Sequence, residues 1–234
     1  MDEPYTITAL SPIRKIIASR MVEATRTIPH FRLVANFEVD ALLDVRTELR
    51  RRKPHINLTL NDLLVKACAT ALMDSPAINI QWSESGIRHF RAADISVVTA
   101  IEGGLTTPIV RNADSKSIWD LSREIRELTA RASTNGLKME EIVGGSFSLS
   151  NLGMYGIDNF DAIINPPQCA ILAIGAARQR VLVTEERKQR VASVMTVTLS
   201  VDHRAIDGAT GANFMSALRE RIEQPAHLLP ERNT

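Results

Sequence analysis

Cysteine is scarce. Cys68 and Cys169 are the only two in 234 residues, each sits in an apolar run, and neither has a CxxC partner or metal-ligand spacing. That excludes a disulfide-built scaffold and a CxxC redox centre, and it predicts buried free thiols, no metal site and a reducing, intracellular compartment. No apolar stretch is long enough to span a bilayer, and the N-terminal Met1-Asp2-Glu3-Pro4 is acidic where a signal peptide is basic. A cytoplasmic protein, or one of the mitochondrial matrix in a eukaryote, with no membrane partner is the expectation. Neither sign of charge is in excess, the formal net charge being +1, so no nucleic-acid surface is expected. The short basic run Arg50-Arg51-Arg52-Lys53 closes a predicted helix, where the helix dipole favours cations. No GxGxxG or GxxxxGK(S/T) occurs, so no nucleotide phosphate loop is supported. Internal repeats and low-complexity linkers are also missing.

What is present is a 44% hydrophobic chain, enough for a sizeable core. Residues 1–10 read as an extended arm. Ser11-Pro12 is an N-cap with proline at the first helical position, and Ile13, Ile16, Ile17, Met21 and Val22 repeat with helical period to about Thr25. Phe31, Leu33, Ala35, Phe37 and Val39 alternate as one face of a strand, and Asp40 reads as the cap of a helix running to about Arg52. A largely apolar helix is predicted over 61–74, a hairpin over 78–90, a second hairpin over 95–110 and an amphipathic helix over 117–132. Further strands are expected at 145–150, 169–176, 179–183 and 191–201, with a last helix over 208–223 stopped by Pro225. Strands and helices mix without strict alternation, which predicts an α/β domain with a mixed sheet.

Two segments carry chemistry. A β-branched strand ending near Val201 delivers His203 into the polar turn Asp202-His203-Arg204-Ala205-Ile206-Asp207-Gly208, a rigid and accessible place for a general base. On spacing alone, His203 reads equally as a satisfied polar residue and Asp207 as the cap of the next helix. The second segment, Gly144 to Gly156, is a serine-bearing strand entering a glycine-punctuated loop. Its hydroxyls suit an oxyanion, and equally a polar strand edge. Asn165-Pro166-Pro167 is a rigid turn with no chemical role implied.

The turn resembles the His-Arg-x-x-Asp-Gly signature of the dihydrolipoamide acyltransferases, the catalytic cores of 2-oxo acid dehydrogenase complexes. Ser150-Asn151-Leu152-Gly153-Met154-Tyr155-Gly156 is similar to the family's serine loop, and Ile163 to Gln168 and Ile171 to Gly175 to the segments after it. Gly104 to Val110, Arg14 to Ala18 and Ile28 to Phe31 resemble its hairpin, N-terminal helix and first strand, so the likeness runs through nearly the whole chain in family order. It implies a chloramphenicol acetyltransferase-like fold, a mixed sheet flanked by helices, with trimers as building blocks of a possible cubic or icosahedral core. The active site is then a channel between subunits, with the histidine from one and the serine from the next. Coenzyme A enters at one end and the lipoyl arm at the other.

The resemblance assigns His203 as the base on the thiol and Ser150 as the oxyanion donor. Ser148, two residues earlier on the same face, is the alternative donor. It suggests that Asp207 pairs with Arg14, or else Arg20, to hold the His203 turn, with Asn151 and Gly208 in support. No residue is assigned to coenzyme A. The serine loop resembles that of the acetyl-transferring branch more than those of the succinyl or branched-chain branches, which implies an acetyl group. Expected partners are lipoyl domains and the decarboxylase and dihydrolipoamide dehydrogenase components. No lipoyl or peripheral-subunit-binding domain, Asp-Lys-Ala motif or Ala/Pro-rich linker is found, so residues 1–234 read as a single catalytic domain served by a lipoyl group on another domain or protein. The rival readings are acetyl transfer to a small hydroxyl compound and a non-catalytic assembly scaffold.

Overall fold

Helix α1 (Pro12–Thr27) starts as predicted: the Ser11 side chain accepts the Arg14 amide, and the missing N–H of Pro12 costs nothing in a first turn. The structure is a computed structural model in which residues 4–134 and 136–228 are described. Positions 1–3 of the predicted arm lie outside the described residues; positions 4–10 are exposed and carry no helix or strand.

Strand β1 (His30–Glu38) is followed by α2 (Asp40–Arg52), α3 (Leu60–Asp74) and a hairpin of β2 (Ile80–Ser83) and β3 (Gly86–His89). Four short strands come next, β4 (Ile95–Val97), β5 (Thr99–Ile101), β6 (Gly104–Thr106) and β7 (Ile109–Val110), then helix α4 (Ile118–Ser133). Strand β8 (Phe147–Asn151), the long pair β9 (Ala170–Val183) and β10 (Gln189–Asp202), and α5 (Gly208–Glu223) complete the order. Six strands form one mixed sheet in the order β1-β10-β9-β8-β4-β7. Strand β8 is parallel to both its neighbours, and the remaining pairs are antiparallel.

Three local expectations are corrected. The strands predicted at 169–176 and 179–183 are one strand, because β10 pairs with β9 along its length and an irregularity between Met195 and Val197 absorbs the change of environment. The hairpin predicted over 95–110 is split: Pro108 has no N–H to give and only its carbonyl takes the Val97 amide, while the Val98 amide turns to the Leu149 carbonyl. Asp40 does not cap α2; it is the first helical residue, and its carboxylate accepts the Ser193 amide at 2.8 Å.

Alternation along β10 separates two cores. Val197, Leu199 and Val201 face the main core with Phe37, Phe147, Leu172 and Phe214. Each fully buried side chain of this kind contributes about 1.5–3 kcal/mol. Thr198 and Ser200 face the other side, beside Ala173 and Ile171, which pack with Ala24, Ile28, Ala162 and Ile164. Both cysteines are free and buried as expected, and burial pushes both thiols up, Cys169 to about 12. Among the described residues no helix is long and apolar enough to cross a membrane.

Candidate active site

Strand β10 ends at Asp202 and the chain turns at once. The Ala205 and Ile206 amides donate to the Asp202 carbonyl at 3.0 and 2.9 Å, and the Asp202 amide donates to the Cys169 carbonyl at 2.8 Å. The His203 amide donates to the Pro29 carbonyl at 3.0 Å, so the backbone of this residue is held from the end of α1 while its side chain is exposed. Its ring lies against Phe31 at 4.8 Å. Phe31 shares a face of β1 with Leu33, Ala35 and Phe37, as the alternation predicts, but stands at its exposed start. Gly208 stands behind that ring: a Cβ there would lie 3.6 Å from Phe31, in ordinary contact.

Asp207 caps α5, accepting the Thr210 amide at 2.7 Å. That hydrogen bond, with His203 adding a smaller attraction, holds its carboxyl below the usual range. The expected ion pair with Arg14 or Arg20 is not formed among the described residues. The Asp207 carboxylate is occupied at the helix N-terminus, and Arg14 reaches the Gly103 carbonyl at 3.3 Å. An ion pair not foreseen from the sequence stands at the turn instead. Arg204 grips Asp202, its Nε at 2.9 and 3.2 Å and its Nη2 at 2.7 Å from the carboxylate, and its guanidinium lies over Trp82 at 4.8 Å. The Asp-His-Arg order is the only local sign of it.

Strand β8 carries the serines on one face. Ser146 exchanges hydrogen bonds with the backbone of Asp94 at 3.2 and 3.3 Å. Ser148 is fully buried and donates its O–H to Gln168 Oε1, so its alternative role as oxyanion donor is not supported. Ser150 has no hydrogen-bond partner for its side chain among the described residues, and it lines a cleft of about 830 Å³ with Asn61, Thr99, Arg126, Leu152 and Tyr155. Asn151 holds the following loop: its Oδ1 accepts the Gly153 amide at 2.9 Å and its Nδ2 donates to Asn61 Oδ1 at 3.2 Å. Asn61, in the first turn of α3, was not singled out from sequence, because its partner is 90 residues away. Gly175 lets this loop lie on β9; a Cβ there would meet the Asp158 carbonyl oxygen at 1.9 Å.

Register separates the two halves of the site. Ser150 is opposite Ala173, which is opposite Thr198, five residues before His203 and two strands away. One chain thus holds them roughly 17 Å apart along the strands and roughly 10 Å apart across them.

A sequence profile for the catalytic domain of the 2-oxoacid dehydrogenase acyltransferases matches residues 2–230. The dihydrolipoyllysine-residue acetyltransferase component of the pyruvate dehydrogenase complex of Rickettsia felis is 46% identical over 97% of this chain and 56% of its own. The same component of Zymomonas mobilis is 44% identical over 98% of this chain and 52% of its own. The chain thus spans about half the length of the curated relatives it matches. A solved dihydrolipoamide acetyltransferase of Azotobacter vinelandii, in which the roles of a serine, a histidine and an asparagine in catalysis were investigated, superposes with a TM-score of 0.92 at 27% identity, covering 98% of this chain and 96% of that one. A probable dihydrolipoamide acetyltransferase of Listeria monocytogenes gives 0.89 at 28%, covering 99% and 98%. A chloramphenicol acetyltransferase, at 15% identity and a TM-score of 0.53 over 87% of this chain and 94% of its own, shares the fold. The chain belongs to the 2-oxoacid dehydrogenase acyltransferase family, matching its catalytic domain.

Proposed function

We propose that the protein transfers an acetyl group between the dihydrolipoyl thiol and coenzyme A as the catalytic core of a pyruvate dehydrogenase-type complex. The observation that carries this reading is the division of the site: an exposed histidine on a fixed turn at one end of the sheet, and an uncommitted serine hydroxyl in a cleft at the other. The relatives' names supply the acetyl group and the complex.

A free thiol has a pKa of about 8.5 and is mostly protonated at neutral pH. His203 takes the thiol proton as sulfur attacks the thioester carbonyl. Ser150 donates its O–H to the oxyanion that forms. Collapse of that tetrahedral centre expels the other thiol, which receives the proton back from His203. The base is worth roughly 10²–10⁴ in rate and the hydroxyl about 3–4 kcal/mol. In the Azotobacter enzyme the asparagine studied lies four residues after the histidine, the place of Asp207 here. We assign Asp207, as the α5 cap, to holding the far side of the turn, with Asn151 and Gly208 supporting the serine loop and Phe31.

The separation along one sheet supports a site in which a neighbouring subunit brings its Ser150 to His203, as in a trimer. Twenty-six per cent identity to the cubic core of a pyruvate dehydrogenase complex, with a TM-score of 0.92, supports further assembly. Residues 1–234 act in this reading as a single catalytic domain in the cytoplasm or the mitochondrial matrix. The lipoyl group comes on another domain or protein, and the decarboxylase and dihydrolipoamide dehydrogenase are partner components.

The test is a paired assay of acetyl-CoA with dihydrolipoamide and with chloramphenicol. Acetyl transfer to dihydrolipoamide alone is expected, and His203→Ala should lower it by roughly 10²–10⁴. Transfer only to the hydroxyl compound, or near-normal turnover by assembled H203A, would overturn the reading.

A further inference from the structure

A carboxylate that is only 1% exposed is stable only when paired and fully hydrogen-bonded. Asp202 is such a group, and its partner lies two residues on. The Arg204 fork takes both oxygens, and the Arg204 amide adds a bond to Oδ1 at 3.1 Å. The guanidinium is held from a second direction by Trp82, whose own amide donates to the Pro167 carbonyl at 3.0 Å. His203 is the single residue between the two members of this pair. With the Ala205 and Ile206 amides on the Asp202 carbonyl, the chain from 202 to 206 closes on itself around the histidine.

We propose that Arg204, locked between Asp202 and Trp82, is the positioning residue of the His203 turn, fixing its backbone and balancing the buried Asp202 charge one residue before the histidine. The inference rests on His203 being the base. The other charged or titratable groups around the turn are accounted for. Asp207 caps α5. His30, opposite Asp202 on β1, is committed to the Ile28 carbonyl at 2.9 Å and the Ile164 amide at 3.1 Å. Cys169, whose carbonyl receives the Asp202 amide, is a buried, protonated thiol.

The charges give opposite signs for two substitutions. Without Arg204, a bare buried carboxylate one residue before His203 favours the imidazolium, and the acid limb of kcat/KM moves to higher pH. With Asp202→Asn, an unpaired guanidinium disfavours it, and the limb moves to lower pH. Removing both restores the balance. Loss of rigidity alone would lower kcat in every variant without opposed shifts.

The experiment compares R204M, R204K, D202N and D202N/R204M in the assembled protein, with H203A as control. It measures kcat, KM for acetyl-CoA, the pH profile and thermal stability. In R204M, kcat should fall roughly 10- to 100-fold with KM within about twofold. Its acid limb should rise by roughly half a unit or more, and that of D202N should fall. The double variant should return to the wild-type limb while keeping the low kcat, and R204K should recover only part of kcat, since an ammonium lacks the fork. Should R204M fail to assemble, R204K and the double variant, which leaves no unpaired charge, decide alone. Wild-type kcat in either, or limbs moving the same way in both single variants, overturns the proposal. A dead H203A beside an unaltered R204M removes only the role of Arg204; an active H203A removes the base itself.

Discussion

Ser148 and Ser150 lie on one face of β8, and their neighbours, not their chemistry, divide them. Ser148 donates its O–H to Gln168 Oε1, whose Nε2 donates to Ser96 at 2.9 Å, so it belongs to a buried polar chain. Ser150 opens on the cleft with its hydroxyl free among the described residues. Ser150→Ala should therefore lower kcat by roughly 10²–10³ with the melting temperature unchanged. Ser148→Ala should do the reverse: it strands Gln168 Oε1, costs about 1–3 kcal/mol of stability and leaves kcat within a few-fold. Steady-state kinetics and thermal melts on both variants separate the roles, and a catalytic defect in S148A as large as that in S150A would contradict them. The sequence places the serines on one face because strand periodicity is local. It does not show which is committed, because Gln168 arrives from a turn 20 residues away. The same limit hid the contact of Phe31 with the His203 ring: alternation gives the face of Phe31 and not its neighbour across the sheet.

Local signals gave the caps of α1 and α5, misplaced that of α2 at Asp40, and left those of α3 and α4 unnamed. Ser11, Ser117 and Asp207 cap α1, α4 and α5 through their own side chains, and Thr59 and Asp62 form a capping box on α3. The split of 95–110 and the union of 170–183 were not legible, because partners distant in sequence decide where a strand continues. Two predictions belong to this scale. Asp207→Asn keeps an equally good cap and should leave thermal stability near wild type, whereas Asp207→Ala should lower it; equal melts for the two would show that the cap contributes nothing. The second concerns the C-terminal turn of α4, where Arg131 forms an ion pair with Glu141 and the Lys138 amide adds a hydrogen bond at 2.8 Å. These partners lower the Glu141 carboxyl from 4.5 to about 2. A carboxylate held low in the folded chain stabilises above its unfolded value and loses that contribution as pH falls through the folded one. Stability should therefore decline between pH 4.5 and about 2. Glu141→Gln should be less stable than wild type at neutral pH and decline less over that window, by denaturant melts at each pH. Parallel curves would exclude the linkage.

At the scale of the whole molecule, the sheet's length becomes the argument. Ser150 and His203 follow strands that run in opposite directions, β8 and β10, so each lies toward the opposite end of one sheet. No rotamer change spans that separation, and the proposed channel between neighbours would. The sequence resemblance implied this arrangement; the register gives it a physical reason. It also yields a test that needs no structure of the assembly. S150A and H203A each inactivate every site of their own homotrimer. In a trimer assembled from both, a site whose histidine comes from an S150A chain and whose serine comes from an H203A chain is whole. Random mixing of equal amounts makes about one site in four whole, so co-refolded or co-expressed variants should regain about a quarter of wild-type activity. Mixing the two after assembly should regain none until subunits exchange. A site contained in one chain would give no recovery at any mixing ratio, since each chain would still lack one of its two groups.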